Sequence, residues 1–291
     1  QAADTSCYAA KEAGRNRVHV WYDTDQAMQT RKGEMQWASR LEQALDEDRF
    51  VLYGQRISPI KKTSTALHCE VLLRLRELDG SIIPPGAFLP AAERFHMASR
   101  IDRWVVRHVF DWLKQQGDAL DQIDTIAVNL SGQSIGDPTF HRFMQELIAE
   151  TSIDVRKLCL EITETAAITN LADAAAFIDG MRQSGVRMAL DDFGSGASSF
   201  GYLKTLPVDY LKIDGQFIKD IVNDPLDQAT VRCFCEVAQL MHIKTIAEFV
   251  ETTAALDMLR QLGVDYAQGY LIHKPQPLDE LITAQAHPSR S

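Results

Sequence analysis

From about Glu34 onward, short apolar runs alternate with longer segments of helical character. The runs are Val51–Tyr53, Thr125–Leu130, Lys157–Ile162, Val186–Leu190, Val208–Ile213, Ile243–Ala247 and Ala267–Leu271. Runs this short, bounded by turn residues, predict buried strands. Between them, stretches such as "DPTFHRFMQELIAET" and "NLADAAAFIDGMRQSG" repeat apolar residues at helical spacing. Asp137–Pro138 and Asn170 read as helix starts, and Gly185 and Gly263 as helix stops. Strands and helices taken in turn predict a mainly parallel sheet. At least six such units, spaced by roughly 20–35 residues, fit a doubly wound sheet or a (β/α)8 barrel. No G-x-G-x-x-G follows a strand, so the dinucleotide-binding form of the first lacks its fingerprint.

A barrel places its functional groups at the C-terminal ends of several strands, and the runs end accordingly. Asn129 closes "TIAVN", Glu161 closes "KLCLE", Asp191 and Asp192 close "RMALDD", Lys212 and Asp214 close "DYLKID", and Glu248 closes "KTIAE". Glu70 sits inside the strand-like "LHCEVLLRL". One such acid is most simply a solvated cap on a strand; so many embedded in apolar strands point to convergence in one mouth. Carboxylates gathered there repel one another unless they bind hard cations, and Mg²⁺ and Mn²⁺ prefer such oxygen ligands. The adjacent pair Asp191–Asp192 suits a site that holds two ions, as two-metal hydrolysis of phosphate esters requires. The eight histidines are scattered without an HExxH-like cluster, which argues against an imidazole zinc site. Lys212, a cation among acids, reads either as a salt-bridge partner or as a group that orients a hydrolytic water.

Composition narrows the field without deciding it. At 291 residues, 45% hydrophobic and 24% charged, the chain is long enough for one α/β barrel with a substantial core. Its five cysteines lack CxxC pairing, so neither a disulfide framework nor a cysteine metal site is expected. A net charge of −10 argues against a nucleic-acid polymer as partner but permits a phosphate ligand where bound cations reverse the local field. There is no apolar stretch of membrane-spanning length and no signal-peptide pattern, so the chain reads as a cytoplasmic domain. Anchoring of a longer parent protein at the inner membrane stays open.

Eight motifs in order resemble the EAL-domain phosphodiesterases, which linearise cyclic di-GMP: "EVLLRL" at Glu70, "GAFLPAAE" at Gly86, "VNLS" at Val128, "LEITET" at Leu160, "LDDFGSGASS" at Leu190, "LKID" at Leu211, "AEFVET" at Ala247 and "QGY" at Gln268. The resemblance covers about Met35 to Pro277 and implies a modified (β/α)8 TIM-type barrel with one antiparallel strand. It implies that Glu70, Asn129, Glu161, Asp191, Asp192 and Glu248 hold two ions, Mg²⁺ or Mn²⁺, and that Lys212, Glu248 and Glu70 serve the chemistry. Gln55, Arg74, Asp214 and Gln268 would contact the substrate, Arg74 through a phosphate. Glu164 would steady the loop after Asp192, and Glu251 would support the site. Phe249 stands where the family usually has glycine, in "AEGVE", and Val71 and Ser195 are milder departures.

By the same resemblance, residues 1–22 are the C-terminal remnant of a GGDEF-like cyclase domain, 23–34 a helical linker, 35–280 the EAL barrel and 281–291 a tail. The implied partners are cyclic di-GMP, a second copy of the barrel in a homodimer, and upstream GGDEF and sensory domains. The implied reaction is metal-assisted hydrolysis of one 3′–5′ phosphodiester to the linear dinucleotide pGpG by a water-mediated, two-metal route. The alternative is a receptor that binds cyclic di-GMP without cleaving it. An unrelated carboxylate-rich barrel, such as an enolising lyase, would need a lysine base and a carbonyl substrate.

Overall fold

The alternating pattern resolves into strands and helices that wind round one barrel. The computed structural model describes residues 26–61, 66–196 and 200–282, with side chains from residue 36 in the first helix. Helix α1 (Gln26–Asp46) leads into β1 (Phe50–Arg56) and β2 (Leu67–Arg76). There follow α2 (Ala98–Gln115), β3 (Ile123–Leu130), α3 (Pro138–Glu150), β4 (Leu158–Thr163), α4 (Leu171–Gln183) and β5 (Arg187–Phe193). The chain continues through β6 (Tyr210–Ile213), α5 (Pro225–Leu240), β7 (Lys244–Ala247), α6 (Thr253–Leu262) and β8 (Tyr266–Ala267). The boundary expected between linker and barrel falls inside α1. The cyclase remnant expected at 1–22, and the expected tail beyond residue 282, lie outside the described residues. No helix among the described residues is long and apolar enough to cross a membrane.

Strands β2 to β8 run parallel to their neighbours in chain order, whereas β1 pairs antiparallel with β2, Gln55 standing opposite Glu70. The barrel closes because the chain just past β1, at Ser58–Pro59, pairs with Tyr266–Ala267 of β8. This is the modified TIM-type barrel with one reversed strand.

Local chemistry sets the helix bounds. Asp137 caps α3 through the Thr139 N–H with Pro138 in the first turn, and Asn170 caps α4 through the Asp173 N–H. Gly263 ends α6 with φ of 94°, a conformation that glycine adopts without cost. Helix α2 turns Ile101, Val105, Val109 and Phe110 onto the sheet, and Phe140 and Phe177 from α3 and α4 extend the same layer with ring centroids 6.3 Å apart. Inside the barrel the core is a separate, smaller cluster of Ile57, Ala127, Cys159, Ala189, Tyr210 and Ile246. His68 joins this floor, its ring 5.5 Å from Tyr210 and 5.4 Å from Tyr266, and burial pushes its pKa down to about 4.

The run expected as a strand over Ala267–Leu271 stops at Ala267. Beyond it the backbone crosses the segment after β7: Val250 N–H donates to Gln268 O at 2.9 Å, and Leu271 N–H donates to Val250 O at 3.1 Å. Gly269 makes the crossing possible, because a Cβ there would lie 2.2 Å from Val250 O and 2.3 Å from Val250 N. Both obstacles are backbone and cannot swing aside. Gly269→Ala is therefore expected to cost roughly 3 kcal/mol or more. Gly263→Ala, with open space around the new methyl group, should cost only about 1 kcal/mol of backbone strain. Denaturant unfolding of the two variants checks the difference; equal costs would refute the close-approach account.

Candidate active site

Side chains on a strand alternate between two faces, and the floor cluster marks the inward face. One inward step further along each strand gives Glu70 above His68, Asn129 above Ala127, Glu161 above Cys159, Asp191 above Ala189, Lys212 above Tyr210 and Glu248 above Ile246. An apolar layer thus carries a charged one at the C-terminal mouth.

Lys212 is the centre of that layer. Its Nζ lies 2.7 Å from Glu161, 3.0 Å from Glu248, 3.1 Å from Asp191 and 3.3 Å from Glu70, and the lysine is fully buried. Burial disfavours the ammonium, but the four carboxylates outweigh it and hold the Lys212 pKa well above its ordinary value. One cation cannot satisfy four acids. Burial, with repulsion from Glu70 and Asp191, drives the Glu161 carboxyl well above the usual range against the pull of Lys212. Burial also raises Asp191, and pushes Glu248 up to about 8. Glu70 differs. Burial alone would raise it too, but Lys212 and the amide donors of Gln268 and Asn129 bring it below its ordinary value. Gln268 Nε2 donates to Glu70 at 2.7 Å and to Gln55 at 3.1 Å, while Gln55 Nε2 donates to His273 O at 2.9 Å. Asn129 Nδ2 donates to the other Glu70 oxygen at 2.5 Å.

The adjacent acids are explained by a bulge. Leu190 pairs with Leu211 and Phe193 with Ile213, so Asp191 and Asp192 together stand opposite the single residue Lys212. Asp192 takes φ of 53°, and its N–H donates to Asp191 Oδ1 at 2.9 Å. Asp191, Asp192 and Glu248 each place an oxygen within 4.8 Å of the others, a set able to hold an ion. The residues fit a hard divalent cation. The donors are carboxylate oxygens, the cluster carries more acid than Lys212 neutralises, and the buried Gln268 Oε1 has no hydrogen-bond partner.

The loop after the bulge is tied to Glu164, a buried residue at the start of the short helix Glu164–Thr169. Its carboxylate accepts from Gly194 N–H at 2.8 Å and from the Tyr202 hydroxyl, so one side chain holds both ends of the loop. Residues 197–199 of this loop lie outside the described residues.

A cavity of about 410 Å³ adjoins the acid layer. Gln55, Glu70, Arg74, Asp192, Glu248, Glu251 and Gln268 supply its polar wall, and Leu72, Phe249, Tyr270 and Pro275 its apolar one. A larger cavity of about 540 Å³ opens near Lys61, Arg232 and Asp265, beside the starts of β7 and β8 and away from the mouth. The Arg74 guanidinium lies 5.3 Å from the Tyr53 ring centroid. Asp214 is turned to its own backbone, accepting from Gln216 N–H at 2.7 Å, and does not line the cavity. Phe249 also takes φ of 53°, which costs a side-chain-bearing residue on the order of 1–2 kcal/mol. Tyr202 and Pro275 carry no signal in the sequence that separates a site aromatic or proline from an ordinary one, and Tyr270, although it closes the "QGY" motif, is not among the expected site residues.

The EAL domain model matches residues 38–275 of the chain. The chain is 41% identical over 276 residues to the cyclic di-GMP phosphodiesterase PdeB of Shewanella oneidensis, covering 95% of this chain and 32% of PdeB. It is 36% identical over 247 residues to PdeF of Escherichia coli, also named a cyclic di-GMP phosphodiesterase, covering 85% of this chain and 32% of PdeF. The chain thus spans about a third of the length of these relatives. Among solved structures, the Pseudomonas aeruginosa MucR phosphodiesterase in complex with c-di-GMP is similar with a TM-score of 0.78 and 31% identity, covering 84% of this chain and 99% of that one. The FimX EAL domain of Pseudomonas aeruginosa bound to c-di-GMP gives 0.76 and 30%, covering 82% and 96%. With its barrel, its mouth of acids and a match across residues 38–275, the chain belongs to the EAL domain family.

Proposed function

We propose that this domain hydrolyses cyclic di-GMP to the linear dinucleotide pGpG with the aid of two divalent cations, Mg²⁺ or Mn²⁺. The observation that carries the reading is the junction of the acid layer around Lys212 with a cavity walled by Gln55, Arg74 and Gln268. Relatives named as cyclic di-GMP phosphodiesterases support it. Asp191, Asp192 and Glu248 would hold cations, with Glu70, Asn129 and Glu161 supplying the remaining oxygens. Bound there, the ions would lower the pKa of water and offset phosphate charge.

The chain's own residues prepare that chemistry. Lys212 holds the Glu70, Asp191 and Glu248 carboxylates toward one point before substrate arrives, and its ammonium is placed to orient a water and to meet developing charge. The four amide-bearing contacts that pin Glu70 and Gln55 keep the substrate wall rigid. Arg74 would pair with a phosphate oxygen, and Gln55 and Gln268 would face the nucleotide, while Asp214 holds the turn that follows it. Glu164 steadies the Asp191–Asp192 bulge from behind, and Glu251 lines the mouth. We extend the proposal to a homodimer and to upstream GGDEF and sensory domains in a longer protein. The relative MucR, named a bifunctional diguanylate cyclase/cyclic di-GMP phosphodiesterase and 30% identical over 284 residues, supports the tandem arrangement.

With Mg²⁺ or Mn²⁺ the protein should convert cyclic di-GMP to pGpG, and either EDTA or Glu70→Ala should lower turnover by at least about 100-fold. Chromatography of the products checks this. Binding without cleavage would make the domain a receptor, and neither binding nor cleavage would end the assignment.

The charge excess also predicts a pH dependence. Burial holds the Glu248 proton up to about 8 in the folded protein, against an ordinary value of 4.5. The metal-free protein therefore keeps this contribution to stability below about pH 4.5 and loses it as the pH rises through about 8. A cation needs the deprotonated acid, so Mg²⁺ should raise the melting temperature more at pH 8 than at pH 6. Thermal unfolding at the two values, with Mg²⁺ and with EDTA, measures it; a larger rise at pH 6 would contradict the assignment of Glu248 to the ion site.

A further inference from the structure

Arg74 stands among acids and pairs with none of them. Glu70, Asp192, Glu248 and Glu251 line the same cavity, and a guanidinium with five donors ordinarily closes on a carboxylate within its reach. Among the described residues, no carboxylate lies within ion-pair distance of Arg74; Glu70 and Glu248 are engaged by Lys212 instead.

Two other contacts hold the side chain. Arg74 Nη1 donates to Leu73 O at 2.8 Å, and the guanidinium carbon lies 5.3 Å from the centroid of the Tyr53 ring, within the range of a cation–π attraction. The strand register makes the second contact. In the antiparallel pair of β1 and β2, Gln55 stands opposite Glu70 and Tyr53 opposite Leu72, so Tyr53 is the diagonal neighbour of Arg74 on the face that carries Glu70. Aromatic and long side chains meet at that spacing. A carboxylate would neutralise the guanidinium, whereas a ring face attracts it and leaves its charge intact. The donors not spent on Leu73 O then stay available to an anion.

We propose that Tyr53 is a positioning residue that holds the Arg74 guanidinium clear of the acid layer, so that its charge meets a phosphate oxygen of the substrate. This rests on the cyclic di-GMP reading above. Tyr53 does not itself line the cavity and acts through Arg74.

The test compares Tyr53→Phe, Tyr53→Leu and Tyr53→Met in the intact chain, each alone and together with Arg74→Ala. Melting temperatures identify which variants fold, and two apolar replacements guard against the loss of one. Steady-state hydrolysis of cyclic di-GMP should show KM raised about fivefold by Leu or Met, with kcat changed less than about threefold and Tyr53→Phe near wild type. In the Arg74→Ala background the same substitutions should raise KM less than about twofold further, because the group they act through is gone. A merely structural role would give equal effects in both backgrounds. That equality would overturn the positioning role, as would an unchanged KM in the folded apolar variants or a Tyr53→Phe variant as impaired as Tyr53→Leu, and each of these leaves hydrolysis by the wild type standing. A wild-type protein that neither binds nor cleaves cyclic di-GMP would overturn the functional reading and the positioning role together.

Discussion

The mouth of this barrel depends on one ammonium group surrounded by more acid than it can neutralise. Lys212 contacts three carboxylates from three other strands and a fourth, Glu248, just past the end of β7, and a hydrophobic side chain in its place would leave those acids buried without a cation. The lysine fixes where the carboxylates point but leaves a residue of negative charge. A protein built only for stability would have no reason to gather such a cluster; one that must hold cations and a phosphate needs it. That excess raises the proton affinity of Glu161, Asp191 and Glu248, and a cation bound among them would compete with those protons.

The barrel makes the arrangement cheap to encode. Because strand side chains alternate, the residue two positions before each site residue lies beneath it in the lumen. His68, Ala127, Cys159, Ala189, Tyr210 and Ile246 fill that level with a closed apolar and aromatic floor. The floor keeps water from the underside of the acid layer, which strengthens every interaction above it. The bulge in β5 interrupts the regular pairing at the level of the acids, and it admits a second aspartate where the plain ladder has room for one.

Much of this was legible beforehand because it follows from period and position. Runs ending in Asn129, Glu161, Asp191, Lys212 and Glu248 marked both the strands and their C-terminal ends, and the caps at Asp137 and Asn170 fell where the helices begin. What was not legible depends on contacts across the chain. The early end of β8 at Ala267 comes from a backbone crossing that only the folded chain reveals. The tie from Tyr202 to Glu164 joins residues in different elements, and a tyrosine in sequence does not announce its partner. Asp214, placed among the substrate contacts by its motif, spends its carboxylate on the turn that follows it.

Closure of the barrel through Ser58–Pro59 and Tyr266–Ala267 has a consequence for synthesis. Most strands find their partner as soon as the next unit emerges, since neighbours in the sheet are neighbours in sequence. The contacts that complete the cavity wall do not: Gln268 reaches Gln55 across 213 residues and Glu70 across 198. Such pairings are the slowest to form and the last to become possible on the ribosome. A nascent chain can carry most of its acids in place and still have no finished pocket. The domain becomes competent only when its end has been made and has docked against its beginning.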